Sequence, residues 1–156
     1  SVPGFTIDDI AQLMRKAQSM KVDDRLILRP EFVDFAQYLT AADVTCFPSV
    51  REGMGTPLLE SLAAGVPVVA NADEASFREH IIDHYNGYLQ PLDVKKWADS
   101  IVMATKFETA QRKLFATEVI SRYSTEKIDK DYFKLITALL SSNSNERITV
   151  ANVLEL

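Results

Sequence analysis

The sequence predicts an α/β fold: a Rossmann-like parallel sheet with helices on both faces. Two short apolar runs, at residues 44–47 and 66–70, have the length and composition of buried strands. Segments with apolar residues at helical spacing lie before, between and after these runs. Strands that alternate with helices are typical of a parallel sheet, because each parallel connection needs a crossover that is usually helical.

Each element has a signal of its own in the chain. Thr6 is a suitable N-cap for a helix over residues 6–20, and Asp8 and Asp9 favour its first turn. Asn86 and Gly87 indicate a turn before an edge strand. The predicted strands span residues 25–28, 44–47, 66–70 and 88–90, and the remaining predicted helices span residues 32–42, 56–64, 77–83, 94–106, 109–123 and 127–140.

Length and composition indicate one ordinary globular domain. The chain has 156 residues, of which 47% are hydrophobic and 25% charged, with a formal net charge of −5. It has no basic cluster, which argues against nucleic acid or an anionic membrane as the main partner. No signal peptide or apolar run of roughly 20 residues is evident, so we expect no membrane span and a cytoplasmic location. We expect residues 1–140 to form the domain, and residues 141–156 to be a linker and tail.

The stretch from Ser49 to Ala70 predicts a loop, a helix and a buried strand in succession. Thr56 is a good N-cap, and Pro57 suits the first helical position, where an N–H has no partner to lose. Gly65 stands where a helix often ends in a glycine, and the proline two residues later prevents continuation. The loop follows a predicted strand, so it lies at the carboxyl edge of the sheet, where ligands bind in such folds.

This arrangement predicts an anion site between two carboxylates. The free N–H groups at a helix start point outward, and the helix dipole adds positive potential there. Gly53 and Gly55 allow a ligand to approach the backbone closely, because they have no Cβ. Glu52 precedes the site and Glu60 lies about one turn inside the helix. Carboxylates are poor phosphate ligands but good acceptors for sugar hydroxyls, so the combination suggests a sugar nucleotide.

The same residues resemble a known family. Glu52 and Glu60 have the E-x7-E spacing, within the string PSVREGMGTPLLESLAAGVPVVA at residues 48–70. This string is similar to the signature of the group 1, or family four, retaining glycosyltransferases of GT-B fold. Further matches are AADV at residues 41–44 and NGYL at residues 86–89, and the likeness covers about residues 22–140.

The resemblance implies roles for individual residues. Glu52 would be the catalytic residue that reaches hydroxyls of the donor sugar, and Glu60 would bind the ribose hydroxyls of the nucleotide. The loop and helix start would meet the sugar and the diphosphate of a UDP-, GDP- or ADP-sugar. The anomeric bond would break with retention and without a metal or other cofactor. The remaining donor-binding residues by resemblance are Arg29 and Pro30, beside the base, and Gly53, Met54, Gly55 and Thr56.

The chain also departs from the family pattern. The donor domain of that family begins with a strand and an Arg/Lys pair that neutralises the diphosphate, and neither is found before Thr6. The acceptor domain, with its usual histidine, is absent too. We therefore expect one half of a GT-B fold, truncated at its N-terminus, that needs an N-terminal acceptor domain and transfers nothing alone. Residues 71–75 replace a usual Gly-rich loop, which leaves the donor sugar open.

Simpler interpretations stand beside these. Glu52 could be an ordinary surface acid, and Glu60 could only complement the helix dipole. His80 and His84 are four residues apart on a predicted helix, but no further ligand cluster is evident, so no metal site is expected. Cys46 is expected to be a core residue. Two other functions remain open: a nucleotide-sugar-binding regulatory module without catalysis, and an interaction scaffold.

Overall fold

The structure is a computed structural model, and it describes residues 6–29, 31 and 34–141. The chain divides after Tyr38 into two compact units. The predicted tail at 141–156 lies outside the described residues from position 142 onward. In the part of the chain that the structure describes, no helix combines the length and apolar character needed to cross a membrane.

The first unit contains helix α1, Ile7–Ser19, as predicted. Thr6 caps it through a reciprocal pair of hydrogen bonds: the Asp9 amide donates to Thr6 Oγ1 at 3.2 Å, and the Thr6 amide donates to Asp9 Oδ2 at 2.8 Å. The predicted strand at 25–28 is wrong. Asp23–Arg25 forms a 3₁₀ turn, and residues 26–28 have no strand partner among the described residues. Three apolar residues without a neighbouring strand cannot satisfy their backbone as a sheet.

The second unit is built on a sheet of three parallel strands. They are β1, Thr45–Phe47, β2, Val68–Asn71, and β3, Gly87–Gln90, in the order β1-β2-β3. Gly87 pairs with Val68, and a Cβ on Gly87 would lie 2.3 Å from the Val68 carbonyl oxygen. Only glycine permits this approach of the two strands, and the predicted parallel sheet with β3 at an edge is confirmed.

Among the described residues, six further helices follow α1 along the chain. Their bounds are α2, Phe35–Leu39; α3, Thr56–Ala63; α4, Ala75–Arg78; α5, Val94–Ala104; α6, Thr109–Tyr123; and α7, Thr125–Ser141. The first of these spans the division between the two units. The predicted helix at 32–42 is shorter in the structure, and residues 32–33 lie outside the described part.

Both faces of the sheet are covered by helices, which confirms the predicted α/β layering. On one face, α3 and α6 pack on β2 through a fully buried cluster that includes Leu58, Leu62, Val68, Ala70 and Phe115. On the other face, α5 packs through Ala104 against Val69 and Tyr88. Alternate residues of β2 therefore enter opposite cores, as the strand period of two requires.

Two further expectations need correction. The helix predicted at 77–83 instead covers Ala75–Arg78, because the Asn86 side chain forms hydrogen bonds with the backbone that follows Arg78. Asn86 Oδ1 accepts from the Ile82 amide at 2.9 Å, and its Nδ2 donates to the His80 carbonyl at 3.0 Å. Cys46 is exposed rather than buried: it pairs with Val69, but the cluster that α5 covers is built on Val69 of β2 and Tyr88 of β3 and does not include Cys46.

Candidate functional site

The loop between β1 and α3, residues 48–55, lies at the carboxyl edge of the parallel sheet. The chain leaves β2 and β3 at the same edge, where the Ala72 amide donates to the Gln90 carbonyl at 2.9 Å. The predicted site therefore lies where parallel sheets bring several loops together.

Gly55, rather than Thr56, is the N-cap of α3. Its φ of 71° is left-handed, and its carbonyl accepts from the amides of Leu58 and Leu59 at 2.9 and 3.2 Å. A Cβ here would lie 3.4 Å from the buried ring of Phe77, so the turn rests on an apolar floor. Thr56 and Pro57 follow as the first two helical residues, so the helix begins one residue earlier than a Thr56 cap would imply.

Four consecutive backbone amides, at residues 53–56, lie at the end of the loop and the start of α3. Within the described residues, no acceptor is found for the N–H groups of Gly53, Met54, Gly55 and Thr56. Because these groups end at the N-terminus of α3, their partial charges add to the positive end of the helix dipole. The arrangement is suited to an anion with several oxygens, such as a diphosphate.

Gly53 adjoins open space. A Cβ at this position would have no atom within 4 Å, so the protein's own packing does not require glycine here. The space is available to a ligand that approaches the Gly53 backbone. Gly53 and Gly55 therefore differ in role, since only Gly55 has a positive φ and a close neighbour.

The two carboxylates of the motif are exposed. Met54, Thr56 and Glu60 line one groove of about 430 Å³, whose opposite wall is formed by the end of α6 and the start of α7. Glu52 lies in the adjoining loop with Gly53 and Gly55. No hydrogen bond is found for the carboxylate of Glu52 or Glu60 to any described residue, so both can accept from a ligand.

The two residues predicted to flank the base are not tested. Arg29 belongs to the first unit, is exposed, and pairs with Glu31 at 3.7 Å. Pro30 lies outside the described residues. Their contact with a nucleotide base stays a prediction.

Two hydrogen bonds, one from the last residue of β2 and one to the segment that follows it, hold the start of the loop. Asn71 is buried, and its Nδ2 donates to the Ser49 carbonyl at 3.1 Å. The Glu52 amide donates to Glu74 Oε2 at 3.1 Å. Sequence reasoning missed both residues, although a buried asparagine at the end of an apolar strand is a recognisable signal, because it must find partners.

His80 holds the far end of the loop. Its Nε2 lies 3.2 Å from the Met54 carbonyl oxygen, which can only accept, so Nε2 carries the proton. Nδ1 lies 3.0 Å from the Tyr123 hydroxyl, which donates to it when the ring is neutral. This histidine was weighed only as a metal ligand. No group of three or more potential metal ligands is found among the described residues.

A sequence model of the family described as Glycosyl transferases group 1 matches residues 4–106. The chain belongs to this family. The predicted group 1 glycosyltransferase family is therefore confirmed. The predicted GT-B type of fold is confirmed as well.

Glycosyltransferases of known name are similar to this chain in sequence. The group 1 chain is 27% identical over 144 residues to a phosphatidyl-myo-inositol mannosyltransferase of Mycobacterium leprae, which covers 90% of this chain and 38% of the relative. It is 33% identical over 101 residues to a D-inositol 3-phosphate glycosyltransferase of Saccharomonospora viridis, covering 63% and 23%. The chain thus spans well under half the length of these relatives.

In fold, the chain superposes with a TM-score of 0.59 on the C-terminal domain of a group 1 glycosyltransferase, LpcC, of Francisella tularensis, at 23% identity over 75% of this chain and 63% of that one. The TM-score with the GtfA/B complex is 0.68, at 20% identity over 85% and 28%. At this identity the likeness establishes the fold alone.

Proposed function

We propose that this chain is the donor-binding domain of a retaining hexosyltransferase, and that it binds a nucleotide-diphosphate sugar. The observation that carries the proposal is the run of amides at residues 53–56 that have no acceptor among the described residues, with an exposed carboxylate before it and another one turn later. The amides receive the diphosphate, Glu52 receives the sugar hydroxyls and Glu60 receives the ribose hydroxyls. A phosphate-binding loop alone has no need of both carboxylates.

In the proposed reaction, the anomeric C–O bond of the donor breaks and its electron pair leaves with the diphosphate. The amides at the start of α3 stabilise that charge as it develops, because they are oriented before the reaction begins. An acceptor hydroxyl forms the new bond on the same face and gives its proton to the oxygen of the departing diphosphate. The proposal calls for no metal or organic cofactor, because the amides and the helix dipole supply the positive potential.

The acceptor is proposed to bind to a separate N-terminal domain. The relatives are much longer than this chain, which covers 38% of the mycobacterial mannosyltransferase. We therefore expect the isolated chain to bind a donor weakly and to transfer nothing. Turnover by these 156 residues alone would contradict this part of the proposal.

Calorimetric titration tests the binding. The chain is titrated with UDP-, GDP- and ADP-hexoses and with the free nucleoside diphosphates. Glu60→Gln should weaken both kinds of ligand, by about tenfold for the loss of a charged hydrogen-bond acceptor, whereas Glu52→Gln should weaken only the sugar-bearing ligands. Glu108→Gln removes an exposed carboxylate at the start of α6 and serves as the matched control.

The outcomes separate the alternatives. A heat of binding with at least one nucleotide sugar, with the affinity weakened in the Glu60 variant and kept in the control, supports the pocket. If no ligand produces a heat of binding, the proposed pocket is contradicted and the interaction scaffold is favoured. Binding of a donor together with a full-length protein that transfers no sugar favours the regulatory module.

A further inference from the structure

We infer that Glu74 is a positioning residue for the donor sugar: its carboxylate fixes the backbone at Glu52 and so directs the Glu52 side chain toward the sugar. The inference rests on the proposed function, because it assigns a cause to the orientation of a residue in that site. The contacts that carry the inference lie in the loop at 48–55 and in the segment that follows β2.

The Glu74 carboxylate joins two parts of the chain. Its Oε1 accepts from the Ser76 amide at 3.1 Å and from Ser76 Oγ at 3.2 Å, which caps α4. Its Oε2 accepts from the Glu52 amide at 3.1 Å, across 22 positions of sequence. One oxygen therefore holds the carboxylate in place, and the other holds the loop.

The Glu52 backbone has little else to restrain it. On its C-terminal side, Gly53 has open space around its Cβ position, so no packing limits rotation there. On its N-terminal side, the nearest side-chain contact with the loop backbone among the described residues is that of Asn71 with Ser49. Loss of the Glu74 contact would free the backbone at Glu52 itself, which carries the carboxylate proposed for the donor sugar.

Glu74 acts in its ionised form. The hydrogen bond from the Ser76 amide, above all, holds the pKa of the Glu74 carboxyl below its ordinary value of 4.5. An ionised carboxylate offers acceptor positions on both oxygens. A glutamine offers one oxygen and one NH₂ group, and the NH₂ would face either the Glu52 amide or the Ser76 amide, donor against donor. Glu74→Gln must therefore lose one of the two contacts.

Glu74→Asp separates capping from positioning. Aspartate is a preferred N-cap residue, so the α4 cap is expected to persist. The side chain is one methylene shorter and cannot also reach the Glu52 amide. If Glu74 matters only as a cap, Glu74→Asp should bind every ligand as the wild type does. If Glu74 positions Glu52, the variant should lose affinity for the sugar-bearing ligand alone.

The experiment compares the 156-residue chain with its Glu74→Asp and Glu74→Gln variants by calorimetry, using the nucleotide hexose that the wild type binds and the matching free nucleoside diphosphate. Glu108→Gln is the control, since Glu108 is also a glutamate at an N-cap but makes no side-chain capping hydrogen bond. Thermal unfolding is measured for each variant.

We expect the Glu74→Asp dissociation constant for the nucleotide hexose to rise about tenfold, the scale of one charge-assisted hydrogen bond, with that for the nucleoside diphosphate within about twofold of wild type. The control should change neither. Equal losses for both ligands, or none for either, would overturn the inference while the proposed function stands. If the wild type binds neither ligand, the proposed function and this inference fail together.

Discussion

The imidazole of His80 hydrogen-bonds to the Met54 carbonyl at 3.2 Å, across 26 positions of sequence. This contact fixes the peptide just before Gly55, the N-cap residue of α3. Because a carbonyl and the following amide belong to one planar group, holding the Met54 oxygen also sets the direction of the Gly55 N–H. The histidine thus helps to present the amides proposed for the diphosphate.

Replacing His80 should weaken both free nucleoside diphosphates and nucleotide sugars. Asparagine is too short to reach the Met54 carbonyl, so His80→Asn should raise both dissociation constants by roughly threefold to tenfold, as expected for one hydrogen bond. His84→Asn is the control, because His84 is exposed and asparagine tolerates its positive φ of 64°. Calorimetry gives the comparison, and loss confined to the sugar-bearing ligand would refute this role for His80.

The two glycines of the loop should respond differently to alanine. Gly53→Ala should leave the unfolding temperature unchanged, since its Cβ meets nothing within 4 Å, yet it should weaken ligand binding by occupying the open space. Gly55→Ala should cost about 1–2 kcal/mol in the free energy of unfolding, because its backbone is left-handed. Denaturant unfolding and calorimetry on both variants test this. A destabilised Gly53→Ala variant that binds normally would be the opposite result.

The core between the sheet and α6 should dominate the stability of the second unit. Phe115 is fully buried against Leu58 and Leu62, and Phe115→Ala should lower the free energy of unfolding by about 3–5 kcal/mol through lost burial and a cavity. Phe133 on α7 is 73% exposed, and Phe133→Ala should change the free energy of unfolding by less than about 0.5 kcal/mol. Equal effects of the two substitutions on the free energy of unfolding in urea would contradict the buried packing of Phe115.

The Glu74 contacts should make stability depend on pH in a defined direction. The pKa of this carboxyl is lower in the folded chain than its ordinary value of 4.5, so its stabilising contribution is fully present above that pH. It is lost as pH falls below 4.5 through the folded value. The stability difference between wild type and Glu74→Gln should therefore shrink on acidification. A difference that grows below pH 4.5 would contradict the hydrogen bonds described.

Local sequence signals were sufficient for much of the fold. The apolar run at 66–70 and the glycine–proline pattern around it predicted the central helix and strand, because both signals act within a few residues. The strand predicted at 25–28 failed because a strand is defined by its neighbours, which a three-residue apolar run cannot specify. Cys46 was placed in the core for a similar reason: the pattern of a strand does not show which of its residues a helix will cover.

The site was predicted in part. The glycines and the spacing from Glu52 to Glu60 are local, so the sequence could indicate the amides and the two carboxylates. Asn71, Glu74 and His80 act on the loop from about twenty positions or more away, and the contacts exist only after the sheet has brought the segments together. No rule of sequence spacing relates the cap of a short helix to the loop that follows the preceding strand.

We propose that the amides at the start of α3 bind a diphosphate, and a ¹H–¹⁵N NMR titration with a free nucleoside diphosphate is the sharpest test. We expect the amide signals of Gly53, Met54, Gly55 and Thr56 to shift together and to saturate with one affinity, while that of Glu52, already bonded to Glu74, should move less. Saturable shifts confined to other parts of the chain, with these four amide signals unmoved, would contradict it.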